Sequence, residues 1–425
     1  VSMNPPPVAP STLDHPVHSG VEATGVREKS TGRRAVGTTL GSALVAAVAY
    51  IDPGNFATNV SAGAQYGTML VWVVVAASAV GMLVQYLSAK LGLVTGRSLP
   101  EQCKQRMPRP ARIGMWLQAE VVVIMTDLAE IVGGAIALYL LFGVPLLLGA
   151  VIMIVAAFAI LALHVHGRDA FRPVVYVCFA VVAAGFAYQA VLADLKVFTV
   201  LEGFQPRLDG TDSAYLAAGI VGATVMPHVV YLHSHLTKGE ALISRRAMPS
   251  LIRRTRREIV GAMLLAATVN ISIMLAATVL VPTDTLEGAH AGFASVTGEL
   301  SSWVFGAALL ASSLASTCVG VYSGQTIMSG FLHRSLSVWT RRCISVLPAL
   351  VILAIGVDPT AALVLSQVVL SFGIPFALAP LVWFTSRRSV MGDARNRPVT
   401  VLTTVVVLGA VISLNVFLLG TLFLS

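Results

Sequence analysis

Charge is what this chain has least of. Asp, Glu, Lys and Arg together make up 11% of its 425 residues, while apolar residues reach 56%. Soluble domains carry roughly 25% charged residues, so a water-facing globular fold is excluded. Cysteine is scarce too. The four present, Cys103, Cys178, Cys318 and Cys343, lie far apart and form no Cys-x-x-Cys pair. Neither a zinc cluster nor a disulfide framework is therefore expected. There is no Gly-x-x-x-x-Gly-Lys-Ser/Thr loop and no His-Glu-x-x-His motif, which argues against a P-loop ATPase and an intramembrane metalloprotease. Residues 1–34 have no apolar run, and because the first apolar segment is as long as a full span, no cleavable signal peptide is expected.

What the chain has is long apolar runs. A bilayer crossing needs about 20 apolar residues. Such runs fall near 38–64, 68–94, 113–141, 145–165, 173–193, 213–236, 259–281, 298–331, 343–357, 361–385 and 399–424. The expectation is an all-α polytopic membrane protein with about eleven transmembrane helices. A net charge of +8 resembles a nucleic-acid signal, but its distribution serves topology instead. With the N-terminus in the cytoplasm, 26 of the 28 basic residues fall on the cytoplasmic side, and only Lys196 and Arg207 do not. The positive-inside rule favours that orientation, and an odd span count puts Ser425 outside. The basic loop near 238–257 is read as a topology signal, with a lipid-binding patch as the alternative.

Two spans are interrupted. The first contains Asp52-Pro53-Gly54-Asn55 in the middle of its apolar run. An aspartate at that depth costs about 2.5–3.5 kcal/mol on the insertion scale. Pro53 removes a donor and Gly54 loosens the backbone, so the helix is expected to break where the charge sits. Freed carbonyls are tolerated there only under cover of protein or a water-filled cavity. A carboxylate, an amide and carbonyls together make a cation site. The sixth span carries a second break at Ala223-Thr224-Val225-Met226-Pro227-His228. Breaks five spans apart imply two halves inserted with opposite orientation, and matching breaks point to a transporter's midplane site. Met226 is either core filler or a thioether ligand. A soft sulfur beside oxygen donors tips preference toward transition metals.

On the third span Asp127 lies roughly 20° from Glu120 around the helix, and Glu130 roughly 80°. The three carboxylates share a face that cannot meet lipid. They serve either a salt-bridge network with Arg341 and Arg342 or a proton relay. His228 and His233 stand as ligands, proton carriers or hydrogen-bonded structural groups. Gln367, inside the tenth span, makes an interhelical hydrogen bond or joins the ion site. Asn270, in the seventh, has the same two readings. His235 and His290 are expected to be solvated.

Asp52-Pro-Gly-Asn55-Phe-Ala-Thr, Gln118-Ala-Glu120 through Thr126-Asp127-Leu-Ala-Glu130, and Met226-Pro-His228 with Tyr231-Leu-His233-Ser234 resemble the signature segments of the Nramp (natural-resistance-associated macrophage protein) family, in the style of its bacterial proton-coupled manganese transporters. The resemblance runs from about residue 35 to the end and takes in Gly324-Gln325, Arg341-Arg342 and Ser366-Gln367-Val-Val-Leu-Ser-Phe-Gly-Ile-Pro375. Met328-Ser329-Gly330 stands where Met-Glu-Gly is more usual, which leaves the site untouched. The resemblance implies a LeuT-like fold: residues 35–195 and 213–385 as inverted five-helix repeats with helices 1 and 6 broken, 196–212 as an external loop, and 386–425 as an eleventh helix with its cytoplasmic lead-in. Residues 1–34 are expected to be a disordered cytoplasmic tail. It also implies Asp52, Asn55, Met226 and the Ala223 carbonyl as metal ligands, with Gln367 joining in one conformation. Asp52, Asp127, Glu130, Glu120, His228, His233, Arg341 and Arg342 are implied in proton movement or its support.

The expected activity is import of Mn²⁺, also Fe²⁺ and with them Cd²⁺ and Co²⁺, together with protons, by alternating access across the cell membrane. The ions are cargo, and no cofactor, nucleic acid or obligatory protein partner is implied; membrane lipids surround the spans. An Al³⁺ or Mg²⁺ transporter of similar fold is the rival within the class, a passive cation channel the rival outside it, and a membrane enzyme the most distant.

Overall fold

The computed structural model of the chain describes residues 43–165, 171–193, 197–239, 247–332 and 337–424. The tail expected over 1–34 lies outside them. The described residues are built from helices. The first break follows from local chemistry. Helix α1 (43–49) ends in tightened turns, with Tyr50 N–H donating to Ala47 O and Ile51 N–H to Val48 O, both at 3.0 Å. Asp52 then adopts an extended conformation and caps α2 (Pro53–Tyr66), its Oδ1 accepting the Asn55 N–H at 2.9 Å. Pro53 sits in the first turn, where its missing N–H costs nothing. The residue that introduces a charge into the membrane is thus also the cap that restarts the helix.

Helices α3 (Val71–Thr95), α4 (Leu99–Arg106), α5 (Arg109–Phe142), α6 (Leu146–Val165), α7 (Phe171–Leu192) and α8 (Val197–Glu202) follow. The second break separates α9 (Gly210–Thr224) from α10 (Pro227–Thr237). Val225 closes α9 by donating to Val221 O, Met226 is extended, and Pro227 opens α10. Then come α11 (Met248–Ala277), α12 (Leu286–Thr297), α13 (Glu299–Phe331), α14 (Val338–Ala354), α15 (Pro359–Ser386), α16 (Arg388–Met391) and α17 (Pro398–Leu424).

Among the described residues eight segments are long and apolar enough to cross a membrane, α9 and α10 together counting as one. The other three expected spans are present as helices. They are α1 with α2, α6 with its apolar stretch Leu146–Ala162, and α14, which is 17 residues long and carries two arginines.

Four features differ from the sequence reading. Helix α14 begins at Val338 rather than near 343, so Arg341 and Arg342, expected at the edge of this span, are buried within its first turns. Helix α11 begins at Met248 and absorbs the second half of the basic loop. The short helices α4, α8 and α12 were not anticipated. Helix α4 starts with a Ser98–Glu101 capping box, and Glu101 pairs with Lys238 at 2.7 Å to tie it to the end of α10. His235 and His290 are half-buried against Tyr322 and Phe305 rather than solvated.

Packing brings the two breaks together. Helix α9 lies against α2 and α15, and α5 lies against α2, α13, α14 and α15. Carbonyls freed at the first break are taken up by distant side chains: Ser312 Oγ donates to Ile51 O at 2.6 Å, and Asn270 Nδ2 to Tyr50 O at 2.7 Å. Asn270 is therefore an interhelical clamp. At Gly222 the backbone of α9 rests on the Gln367 carbonyl of α15, where any Cβ would collide. Replacing Gly222 by Val is expected to force the helices apart and destabilise the protein by about 1–3 kcal/mol, read as a lowered melting temperature in detergent; an unchanged melt would show that α9 and α15 do not depend on this contact.

Candidate functional site

The breaks meet at a wholly buried polar cluster. Asp52 and Asn55, from the first break, and Ala223 and Met226, from the second, are each 0% exposed. Asn55 connects them, its Nδ2 donating to Asp52 Oδ1 at 2.7 Å and to the Ala223 carbonyl at 3.0 Å. One amide group thus holds a carboxylate oxygen and a carbonyl oxygen from opposite halves of the chain within about one ion's reach. A half-turn of that amide exchanges Nδ2 for Oδ1 and sets a third oxygen beside the other two.

Gln367 completes the cluster from α15. Its side chain lies over Gly54, where a Cβ would strike it, and its Nε2 donates to Ser366 Oγ at 2.9 Å. Asp52 Oδ2, Asn55 Oδ1 and Gln367 Oε1 are all buried with no hydrogen-bond partner. Buried oxygens left unpaired are costly, and three of them, one on each of these residues, suit a hard or borderline cation. Met226 adds a thioether residue at the same break. Among the described residues no group of three or more His, Cys, Asp or Glu comes together to hold a metal ion. The donor set has a single carboxylate with neutral groups around it.

A second cluster lies along α5. Thr126 Oγ1 is 3.2 Å from His228 Nδ1, which links α5 to the residue two beyond Met226. Asp127, next in sequence, is wholly buried and bonds Arg342 Nη1. Glu130 accepts from Ser316 Oγ at 2.9 Å and lies 3.9 Å from Arg342 Nη2. Glu120 takes Arg341 through Nε and Nη2, both at 3.0 Å, and accepts from Trp116 Nε1 at 3.1 Å. All three carboxylates expected on one face therefore meet the two arginines of α14. His233 goes elsewhere: its Nδ1 is 2.8 Å from Gln85 Oε1, and Gln85 Nε2 donates to Tyr50 Oη at 2.7 Å. Ser316, Gln85 and Tyr50 had not been singled out, because a lone Ser, Gln or Tyr in an apolar helix carries no pattern of its own.

The family model described as natural resistance-associated macrophage protein-like matches residues 43–421. The chain belongs to the Nramp family. Among its curated relatives is the divalent metal cation transporter MntH of Bacillus subtilis (strain 168), 43% identical over 402 residues that span 93% of this chain and 95% of that one. Another, MntH of Mycobacterium tuberculosis (strain ATCC 25618 / H37Rv), is 47% identical over 392 residues, covering 89% and 90%. Among solved structures, the Eremococcus coleocola manganese transporter superposes with a TM-score of 0.81 at 27% identity, covering 92% of this Nramp chain and 88% of its own. Mhp1, in a closed conformation, superposes at 0.58 with 18% identity, covering 83% of this chain and 79% of its own, and shares the fold. This Nramp chain is a multi-pass membrane protein of LeuT-like architecture: two inverted five-helix repeats with the first and sixth helices broken, and one further helix.

The arginine pairs give a stability prediction. Replacing Arg342 by Leu leaves Asp127 and Glu130 buried without their cation, an expected loss of about 3–5 kcal/mol. Adding Asp127→Asn to that variant is expected to recover part of the loss. Thermal melts of the single and double variants in detergent check this, and additive losses would show that Asp127 and Arg342 act independently.

Proposed function

We propose that this chain imports divalent transition-metal ions, Mn²⁺ first and Fe²⁺, Cd²⁺ and Co²⁺ with it, coupled to protons and by alternating access. The observation that carries the reading is the Asn55 amide joining Asp52 to the Ala223 carbonyl across both helix breaks. The names of the curated relatives, divalent metal cation transporters, support the substrate class. Asp52, Asn55, the Ala223 carbonyl and Met226 hold the ion, and Gln367 joins from α15. The ion is cargo, so no resident cofactor is part of the reading. Full burial of these residues favours a carrier, which passes through closed states, over a permanently open pore.

The steps follow from the donors. An arriving cation competes with the Asn55 N–H for Asp52 Oδ1 and the Ala223 carbonyl, and the amide turns to present Oδ1. Asp52 gives up its proton as the metal binds. Asp127 takes that charge onward, with His228 and Thr126 between the breaks and α5, and with Glu130, Glu120, Arg341 and Arg342 holding the network. His233 supports the cytoplasmic half through Gln85 and Tyr50. The basic asymmetry sets the N-terminus in the cytoplasm and Ser425 outside the cell membrane.

Selectivity rests on one sulfur. A thioether favours Mn²⁺, Fe²⁺ and above all Cd²⁺ over Mg²⁺ and Ca²⁺. Met226→Ala is expected to keep some Mn²⁺ uptake, lose about tenfold or more in Cd²⁺ affinity, and become sensitive to millimolar Ca²⁺. Asp52→Ala is expected to abolish uptake of every metal. Competition curves in the same proteoliposomes check both, and an unchanged Cd²⁺-to-Ca²⁺ preference in the Met226 variant would make the thioether core packing.

Proton coupling is tested separately. Asp127→Asn keeps the shape and removes the titration. It is expected to leave metal binding within about threefold of wild type while flattening the response of uptake to an inward proton gradient. Wild-type proton influx and pH response in that variant would make Asp127 a structural acid.

A further inference from the structure

Away from the two breaks, a cavity of about 930 Å³ opens between the end of α3, the first turns of α11 and the linker from α16 to α17. Its charge is one-sided. Lys90, Arg256, Arg395 and Arg397 line it, against a single carboxylate, Asp393. Asp393 is exposed and already lies 3.7 Å from Arg388. Of the four cations Lys90 is the most buried, at 7% exposure. One of its three N–H donors goes to Asn396 Oδ1 at 3.0 Å, and its ammonium lies 5.8 Å from the centre of the Tyr86 ring. Among the described residues no carboxylate lies within ion-pair distance of Lys90, Arg256, Arg395 or Arg397.

A buried ammonium without a counter-ion is unfavourable. The fold nevertheless builds one in: Asn396, itself 7% exposed, bonds Lys90 through Oδ1 and the Thr385 hydroxyl through Nδ2 at 2.8 Å. Lys90 is thus held in place by a neutral group rather than neutralised. Part of the wall is apolar, with Val94, Met248 and Ile252 beside the cations, and Asn396 and Thr400 add neutral polar groups. Cationic donors next to an apolar wall, at the ends of membrane-spanning helices, match an anionic head group with acyl chains attached. Arginine forks add bidentate recognition of phosphate oxygens.

We propose that this cavity binds the phosphate of an anionic glycerophospholipid from the cytoplasmic leaflet, with Lys90 and Arg397 on the phosphate and the apolar wall along the first carbons of a chain. Such a lipid joins α3 and α11 to the lead-in of α17, three elements that otherwise meet around a cavity. The site is separate from the candidate metal ligands, so it stands or falls independently of the transport reading; only the choice of leaflet rests on the proposed orientation.

The test is lipid retention by the full chain in neutral detergent, read by native mass spectrometry. The ligands are phosphatidylglycerol, phosphatidylcholine and inorganic phosphate. One phosphatidylglycerol is expected to stay bound under conditions that strip phosphatidylcholine, and millimolar phosphate is expected not to displace it. Arg397→Gln and Arg395→Gln, both at exposed positions, are each expected to weaken retention about fivefold; Lys90→Gln is expected to weaken it further. Arg109→Gln, at an exposed position that does not line the cavity, serves as the control and is expected to change nothing. Equal retention by wild type and the Arg395 and Arg397 variants overturns the proposal. Displacement by phosphate alone, with no preference for the lipid, overturns the lipid assignment in favour of a soluble anion site.

Discussion

A carboxylate inside a membrane protein is kept only where the surrounding structure bonds it, and Asp52 obtains those bonds from the helix break it helps to cause. Its Oδ1 caps α2 through the Asn55 N–H and also takes the Asn55 side chain. The remaining dependencies follow from that arrangement. The break frees carbonyls that must be met, and α11 and α13 meet them through Asn270 and Ser312. The same Asn55 then reaches the second break, so α9 must come close to α2. It comes close because Gly222 lets α9 settle on α15.

The α5 cluster solves the same problem differently. Glu120, Asp127 and Glu130 are not bonded by their own backbone. They are matched by two arginines that arrive together on α14. Burying opposite charges this way contributes little net stability, yet removing one partner is costly. The polar interior therefore has two parts: one carboxylate among neutral groups at the breaks, and an ion-paired set along α5 and α14.

How much of this could be read in the sequence depends on whether the signal was local. Asp52, Pro53, Gly54 and Asn55 are adjacent, and each acts on its own stretch of backbone, so the break and the polar site were legible. The same holds for Met226 and Pro227. The acidic face of α5 followed from helical spacing, and Arg341 and Arg342 could be named as partners. Which arginine meets which carboxylate was not legible, because that depends on where α14 begins and how it crosses α5. Ser312 and Ile51 lie 261 positions apart, and nothing about a serine in an apolar helix announces so remote a carbonyl. The short helix α4 escaped notice because eight residues are too few to show an apolar period, and it is set by a capping box instead.

The bonds made by Ser312 and Asn270 also differ in kind from those between α5 and α14. Both are neutral, buried hydrogen bonds to a loosened backbone, each worth about 1 kcal/mol net. Between α5 and α14 the links are ionic and cannot be exchanged for water without exposing buried charge. The two kinds of link divide the interior: single neutral bonds fasten the first break to α11 and α13, and paired charges fasten α5 to α14.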